Sequence, residues 1–237
     1  MDITILYEDR VFLVLNKPAG LIVHGDGKTK GASVSEWLLS HYPGIKNVGE
    51  PWISQNGETI HRPGIVHRLD KDTSGVLAIA KDQDTFNFLK SQFKQRTVDK
   101  IYHAFVYGEV KEDGGTIDRP IARSRKDFRL WSAQRGARGE AREAVTQFRV
   151  IKRGNGFSFL EVCPKTGRTH QIRVHLKAIN HPVVCDALYA PKRECALGFK
   201  RLALHASSLT LTMPNEKKET FKAEFPQDFE VAIKLLS

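Results

Sequence analysis

Two short polar segments carry most of the residues that could do chemistry. The first is His67-Arg68-Leu69-Asp70-Lys71-Asp72-Thr73-Ser74-Gly75, and the second runs from Lys165 through Thr166, Gly167, Arg168, Thr169, His170, Gln171, Ile172, Arg173 and Val174 to His175. An aspartate such as Asp70 serves either as a turn or cap residue, the common habit of Asp beside Ser and Gly, or as an ionised nucleophile or general base. The second role requires a cation that keeps the carboxylate charged and fixes its direction. Arg173 is the candidate cation, in a segment where a Gly turn feeds a helix start and so favours anions. The expectation is a charged site between two halves of the protein.

Other constellations lead nowhere. His170 and His175 are not spaced as the His-Glu-x-x-His zinc pair requires. A two-metal nuclease lacks a convincing ligand cluster around Asp70 and Asp72. Gly25-Asp26-Gly27-Lys28 lacks the spacing of a phosphate loop and reads as an ordinary loop. No bound metal is expected. The odd set Cys163, Cys185 and Cys195 contains no Cys-x-x-Cys pair and reads as reduced thiols.

The elements that must position these residues follow from local pattern. Ile3–Tyr7 and Val11–Leu15 read as strands, with Asn16-Lys17-Pro18-Ala19-Gly20 as a turn. Ser33 is placed to cap a helix carrying Val34, Trp37, Leu38 and His41. Residues 43–64 show no sustained period and read as an irregular loop. Val76–Ala80 reads as a strand buried on both faces, followed by an amphipathic helix with Phe86, Leu89, Lys90 and Phe93. Further strands are expected at Ile101–Val110, 143–151, 157–163, 203–213 and 217–224, with Asn215 in the last hairpin turn. Helices are expected at Thr169–Ile179 and 227–236. The predicted fold is α+β, a mainly antiparallel mixed sheet flanked by helices, forming one domain over 1–237.

Charge narrows the partners. Among 237 residues, Lys and Arg number 37 against 27 Asp and Glu, a net charge of +10. Between Arg119 and Arg153 eleven basic residues face three acidic ones, so a surplus of eight lies in that stretch. Arg123, Arg125, Arg129 and Arg135 fall within it, with Phe128 and Trp131 interleaved. Guanidinium forks suit phosphate and base contacts. The alternatives are a solvated basic loop and an RNA-contacting stretch, and the electrostatics favour RNA. No apolar run approaches the ~18 residues of a membrane span. The first residues do not form a basic and then apolar signal peptide. A cytoplasmic monomer that contacts no membrane is expected.

Gly64–Leu77, with its core His67-Arg68-Leu69-Asp70, resembles the catalytic motif of the RluA/RluD-type RNA pseudouridine synthases. Asn16–His24 resembles that family's first motif, and Lys100-Ile101-Tyr102 its tyrosine-bearing strand. Thr166–His175, followed by Asn180-His181-Pro182-Val183 and Asp186, resembles its arginine-bearing motif, with Arg201–Ala206 after it. The matches run in order along nearly the whole chain. The resemblance implies isomerisation of uridines in ribosomal RNA, or in tRNA, to pseudouridine without metal or organic cofactor. Asp70 would be the nucleophile, Arg173 its salt-bridge partner and Tyr102 a platform against the uracil, although an apolar strand also carries core tyrosines. Ile172 and Leu204 would line the uracil pocket, while Arg68 and Arg168 would contact RNA. Attack on ribose C1′, attack on uracil C6 and removal of a 2′ proton are all open to a carboxylate. The first motif begins near Met1, so no accessory RNA-binding domain is expected ahead of it. The competing reading is a non-catalytic RNA-binding factor in ribosome assembly.

Overall fold

The computed structural model describes residues 3–25, 32–53, 57–125, 127, 129–134 and 137–236. The chain divides into two compact units, Met1–Asp99 with Ser208–Ala223 and Lys100–Ser207 with Glu224–Ser237.

In the first unit, β1 (Thr4–Glu8) and β2 (Phe12–Lys17) form an antiparallel hairpin. Asp9 closes its turn by accepting the N–H groups of Val11 and Phe12 at 2.9 and 2.7 Å. Helix α1 (Val34–His41) starts at Ser33 with a capping box, the Ser33 hydroxyl and Glu36 carboxylate each taking the other residue's N–H. Residues 43–64 are more ordered than their pattern predicts. They hold a 3-10 turn at Pro43–Ile45 and a two-stranded hairpin of β3 (Trp52–Ile53) and β4 (Thr59–Ile60). Strands of two residues are too short to leave a period in sequence. Strand β5 (Ser74–Ala80) pairs antiparallel with β2 and is buried throughout, as expected. Helix α2 (Gln83–Gln95), capped by Asp82, places Phe86 and Leu89 in one apolar cluster with Phe12, Val14, Val76 and Ala78.

The second unit begins on β6 (Asp99–Tyr107) and continues through β7 (Gly114–Asp118), β8 (Ile121–Arg123), β9 (Trp131–Ser132), β10 (Arg138–Arg142), β11 (Val145–Gly154) and β12 (Phe157–Pro164). An antiparallel sheet runs β6–β12–β11–β7. A separate three-stranded sheet runs β10–β8–β9. The basic stretch is therefore largely strand rather than loop. Helix α3 (Gln171–Ala178) begins after His170, whose left-handed φ of 55° starts the helix later than its pattern predicts. Strand β13 (Leu204–Thr212) carries the chain from the second unit into the first at Ser207–Ser208. There it pairs with β14 (Lys218–Lys222), across a turn in which Asn215 accepts the Lys217 N–H at 3.1 Å. Helix α4 (Gln227–Leu235) returns to the second unit, and its Phe229 packs with Phe105, Phe159 and Phe199. The fold is α+β with a mainly antiparallel sheet and four α-helices among the described residues.

One expectation is overturned by the path of the chain. Cys185 and Cys195 are joined as a disulfide with their Cα atoms 4.6 Å apart, leaving Cys163 as the free thiol. Their spacing announces no pair in sequence, because the loop between them has to double back before they meet.

Candidate active site

In the first unit, Asp70 sits on a turn rather than a strand, its carbonyl accepting the Thr73 N–H at 3.1 Å. The turn leads directly into β5. Upstream, Gly64 adopts φ 63° against β5, where a Cβ would come within 1.9 Å of the Ala80 carbonyl oxygen, so only glycine fits. His67 Nε2 accepts the Ala78 N–H at 2.9 Å, and the ring stacks on Phe93. Leu69, beside Asp70, is buried. From below, the fully buried Lys17 ammonium donates to the carbonyls of Pro18, Leu21 and Lys71 at 2.8, 2.8 and 3.0 Å. The Gly20 N–H adds a further 2.9 Å bond to the Lys71 carbonyl. Asp70 thus rides, half-buried, on a turn held by a buried strand on one side and a buried cation on the other. Arg68 is exposed, with Nη1 3.4 Å from His24 Nε2. Arg62 lies over the Trp52 ring at 5.1 Å, and burial, with the Arg68 charge, pushes its guanidinium below the usual arginine range.

In the second unit, Arg173 on α3 is buried and forked onto Asp186. Its Nε donates to Oδ2 at 2.7 Å and its Nη2 to Oδ1 at 2.8 Å. This carboxylate partner is not anticipated by the sequence reading, in which Arg173 balances Asp70 alone. Asp70 and Arg173 belong to different compact units. Asp186 Oδ1 also accepts the N–H groups of Leu188 and Tyr189, each at 3.0 Å, and the Tyr189 ring lies 5.1 Å from the Arg173 guanidinium.

A second network anchors the start of α3. Gln171 accepts at Oε1 from the Thr166 hydroxyl at 2.6 Å and the Arg168 N–H at 3.0 Å. It donates from Nε2 to the Val145 carbonyl at 3.0 Å and to Thr146 Oγ1 at 2.9 Å. Every hydrogen-bonding capacity of the amide is used. Arg168 is steadied in turn by Nε donating to the Glu143 carbonyl at 2.9 Å. His175 is fully buried, with Nε2 donating to the Arg119 carbonyl at 2.9 Å and Nδ1 2.8 Å from Thr146 Oγ1. Burial pushes its imidazole below the usual histidine range, and the carbonyl partner fixes the proton on Nε2. These contacts make His175 a structural residue.

Tyr102 stands half-buried on β6, opposite Val162, and packs against the same apolar cluster that contains Ile172 and Leu204. Tyr102, Ile172 and Leu204 thus all belong to the apolar core of the second unit. On the three-stranded sheet, Arg123 stacks on Trp131 at 4.2 Å, while Arg125 is exposed. Arg129 is forked onto Asp127, whose carboxyl this pairing pulls down to about 2. Arg149 and Arg153 pair with Glu161 and Asp113, which lie outside the stretch, so its surplus of charge is partly offset. Arg135 lies outside the described residues, as do Lys126, Phe128 and most of the Gly25–Lys28 loop. Among the described residues, no group of three or more His, Cys, Asp or Glu could hold a metal ion, and no helix is long and apolar enough to cross a membrane.

The unanticipated residues are Lys17, Gln171, Asp186 and Tyr189. The first three stand inside motif segments, but nothing local tells which atom each one meets.

The fold is that of pseudouridylate synthases. The solved structure of Human RNA Pseudouridylate Synthase Domain Containing 4 superposes with a TM-score of 0.74 at 26% identity, covering 98% of this chain and 92% of that one. Human RNA Pseudouridylate Synthase Domain Containing 1 gives 0.75 at 26% identity, covering 95% and 84%. Residues 11–178 match the family model described as RNA pseudouridylate synthase, and the chain belongs to that family. Its curated relatives include the uncharacterized RNA pseudouridine synthase YlyB of Bacillus subtilis, 40% identical across 96% of this chain and 71% of the relative. A ribosomal large subunit pseudouridine synthase D of Borreliella burgdorferi is 38% identical across 97% and 67%. An uncharacterized RNA pseudouridine synthase of Synechocystis is 40% identical across 90% of this chain and 62% of its own length. The chain spans roughly two thirds of the length of these relatives.

Proposed function

We propose that this chain isomerises uridine to pseudouridine in large-subunit ribosomal RNA, with tRNA as the second candidate substrate. The observation that carries the reading is the Gly64–Leu77 segment, in which Asp70 stands on a turn braced by β5 and by Lys17. Relatives named for large-subunit ribosomal RNA, such as those of Borreliella burgdorferi and Zymomonas mobilis, support the choice of RNA.

The isomerisation breaks the bond from uracil N1 to ribose C1′ and forms one from C5 to C1′. N1 gains a proton and C5 loses one, so no hydride carrier or phosphate donor enters the balance. The chain needs a nucleophile or proton acceptor at the sugar–base junction, and Asp70 supplies it, with Arg173 as its countercharge. Tyr102 lies against the uracil, which Ile172 and Leu204 enclose. The uridine must leave its stack to be reached, at a cost of a few kcal/mol offset by stacking and phosphate contacts. Arg68 contacts the RNA beside Asp70. Arg123, Arg125, Arg135 and Arg168 hold phosphates, whereas Arg129, forked onto Asp127, contributes less. The protein works in the cytoplasm as a monomer, as a single domain, with no metal or cofactor.

Release of tritium from RNA labelled at uridine C5 tests this, because isomerisation must lose that hydrogen. Asp70→Asn should abolish release while RNA affinity stays within a few fold. Appreciable turnover by that variant would remove Asp70 from the role. A non-catalytic assembly factor would release no tritium even as the unaltered protein, and the presence of Asp70, Tyr102 and Arg173 together speaks against it.

A further inference from the structure

A guanidinium that must meet a reacting carboxylate is useful only if its plane is fixed. Arginine has a long side chain, and its directional hydrogen bonds lose their value when the fork is tilted. Arg173 is constrained on two sides. Along one edge, Nε and Nη2 are engaged by Oδ2 and Oδ1 of Asp186 at 2.7 and 2.8 Å. Over one face lies the Tyr189 ring, 5.1 Å from the guanidinium carbon.

The clamp is itself rigid. The Asp186 side chain is fully buried, and its Oδ1 takes the N–H groups of Leu188 and Tyr189 as well as Arg173 Nη2. The Asp186 carbonyl accepts the Ala190 N–H at 2.8 Å, and the Tyr189 hydroxyl accepts the Trp131 N–H at 3.1 Å. The segment that carries both residues is closed at its ends by the Cys185–Cys195 disulfide. With the Nε edge held, the planarity of the group determines where Nη1 points.

We infer that Asp186 is the positioning residue for Arg173, setting the direction of the guanidinium without touching the RNA itself. The inference rests on the proposed role of Arg173 as countercharge in uridine isomerisation. Asparagine at this position keeps the shape but turns an NH2 group towards the guanidinium, so the fork cannot form.

The test is a double-mutant cycle read by tritium release from ribosomal RNA transcribed with C5-tritiated uridine. Asp186→Asn should lower kcat about 10²-fold, the scale of a misplacement near 1 Å, while KM for the RNA stays within about threefold because phosphate contacts dominate RNA affinity. Asp186→Glu, which retains the charge, should recover part of the loss. In an Arg173→Lys background, where no fork exists, Asp186→Asn should cost less than about threefold more, since residues acting through one another are not additive. Penalties that multiply in the double variant, or a kcat within threefold for Asp186→Asn alone, overturn the inference. Melting curves at the assay temperature accompany each variant, and Asp186→Glu replaces Asp186→Asn in the cycle if the latter does not fold. Absence of release by the unaltered protein overturns the isomerase reading and this inference with it. Release by the unaltered protein with an insensitive Asp186 overturns the inference alone.

Discussion

The Lys17 ammonium donates a 3.0 Å hydrogen bond to the carbonyl of Lys71, the residue that follows Asp70 in the chain. A buried ammonium is costly unless its protons are taken, and here carbonyls of Pro18, Leu21 and Lys71 take them. The bond ties the end of β2 to the turn that carries Asp70, so the two are fixed together.

Replacing Lys17 by methionine keeps the stem but strands the carbonyls of Pro18 and Leu21 and leaves that of Lys71 with the Gly20 N–H alone. We expect a loss of about 3 kcal/mol in urea unfolding, from buried acceptors left unsatisfied. Tritium release should fall by more than the folded fraction accounts for, because the Asp70 turn loses its brace. Full activity in the folded variant would contradict the bracing role.

Gln171 uses all its hydrogen-bonding capacity to fasten the start of α3 to Val145, Thr146, Thr166 and Arg168. Gln171→Leu should destabilise the protein by about 3 kcal/mol, since several buried groups lose partners at once. For a chain of this size that is a drop of about 6–12 °C in Tm. A shift under 2 °C would mean that other contacts hold the helix.

Two histidines, His175 fully buried and His103 half-buried on β6, give stability a pH dependence. Burial lowers the pKa of both His175 and His103 in the folded state. Below the ordinary histidine value near 6.5 the unfolded chain binds protons that the folded chain refuses. Stability is therefore complete above that pH and falls as the solution is acidified. The slope should reach about 1.4 kcal/mol per pH unit for each such proton. Urea titrations between pH 7.5 and 5 measure it, and His175→Gln should flatten the curve. A flat curve for the unaltered protein would refute the neutral, buried assignment.

The basic sheet makes a contrast between arginines. Arg123 and Arg125 present guanidinium groups as a stacked and an exposed cation, whereas Arg129 is forked onto Asp127. Replacing Arg123, Arg125 and Arg138 by glutamine should weaken RNA binding and flatten its salt dependence by about 2–3 in log–log slope. Arg129→Gln should leave the slope nearly unchanged, against about 0.7–0.9 for an arginine that holds a phosphate. Equal effects at Arg125 and Arg129 would show that Asp127 does not compete with RNA phosphate.

Much of the architecture was legible because its causes are local. The run Val76–Ala80, the spacing of Phe86 and Leu89, the Ser33 cap and the Asn215 turn each express a preference within a few residues. The basic strands were not legible, since every residue of Arg138–Arg142 is exposed and alternation marks a strand only when one face is buried. The β3–β4 hairpin was too short to leave a period.

The candidate residues Asp70, Tyr102 and Arg173 could be named because their segments resemble the family's motifs, and a motif is a property of the sequence. Their partners could not. Lys17 reaches Lys71 across 54 positions and Arg173 reaches Asp186 across 13. Cys185 meets Cys195 only because the loop between them turns back. A hydrogen bond, an ion pair or a disulfide depends on distance in space, and that distance exists only once the backbone has chosen its path. Motif thus pointed to the family and its candidate residues, and tertiary contact decided which groups hold those residues in place.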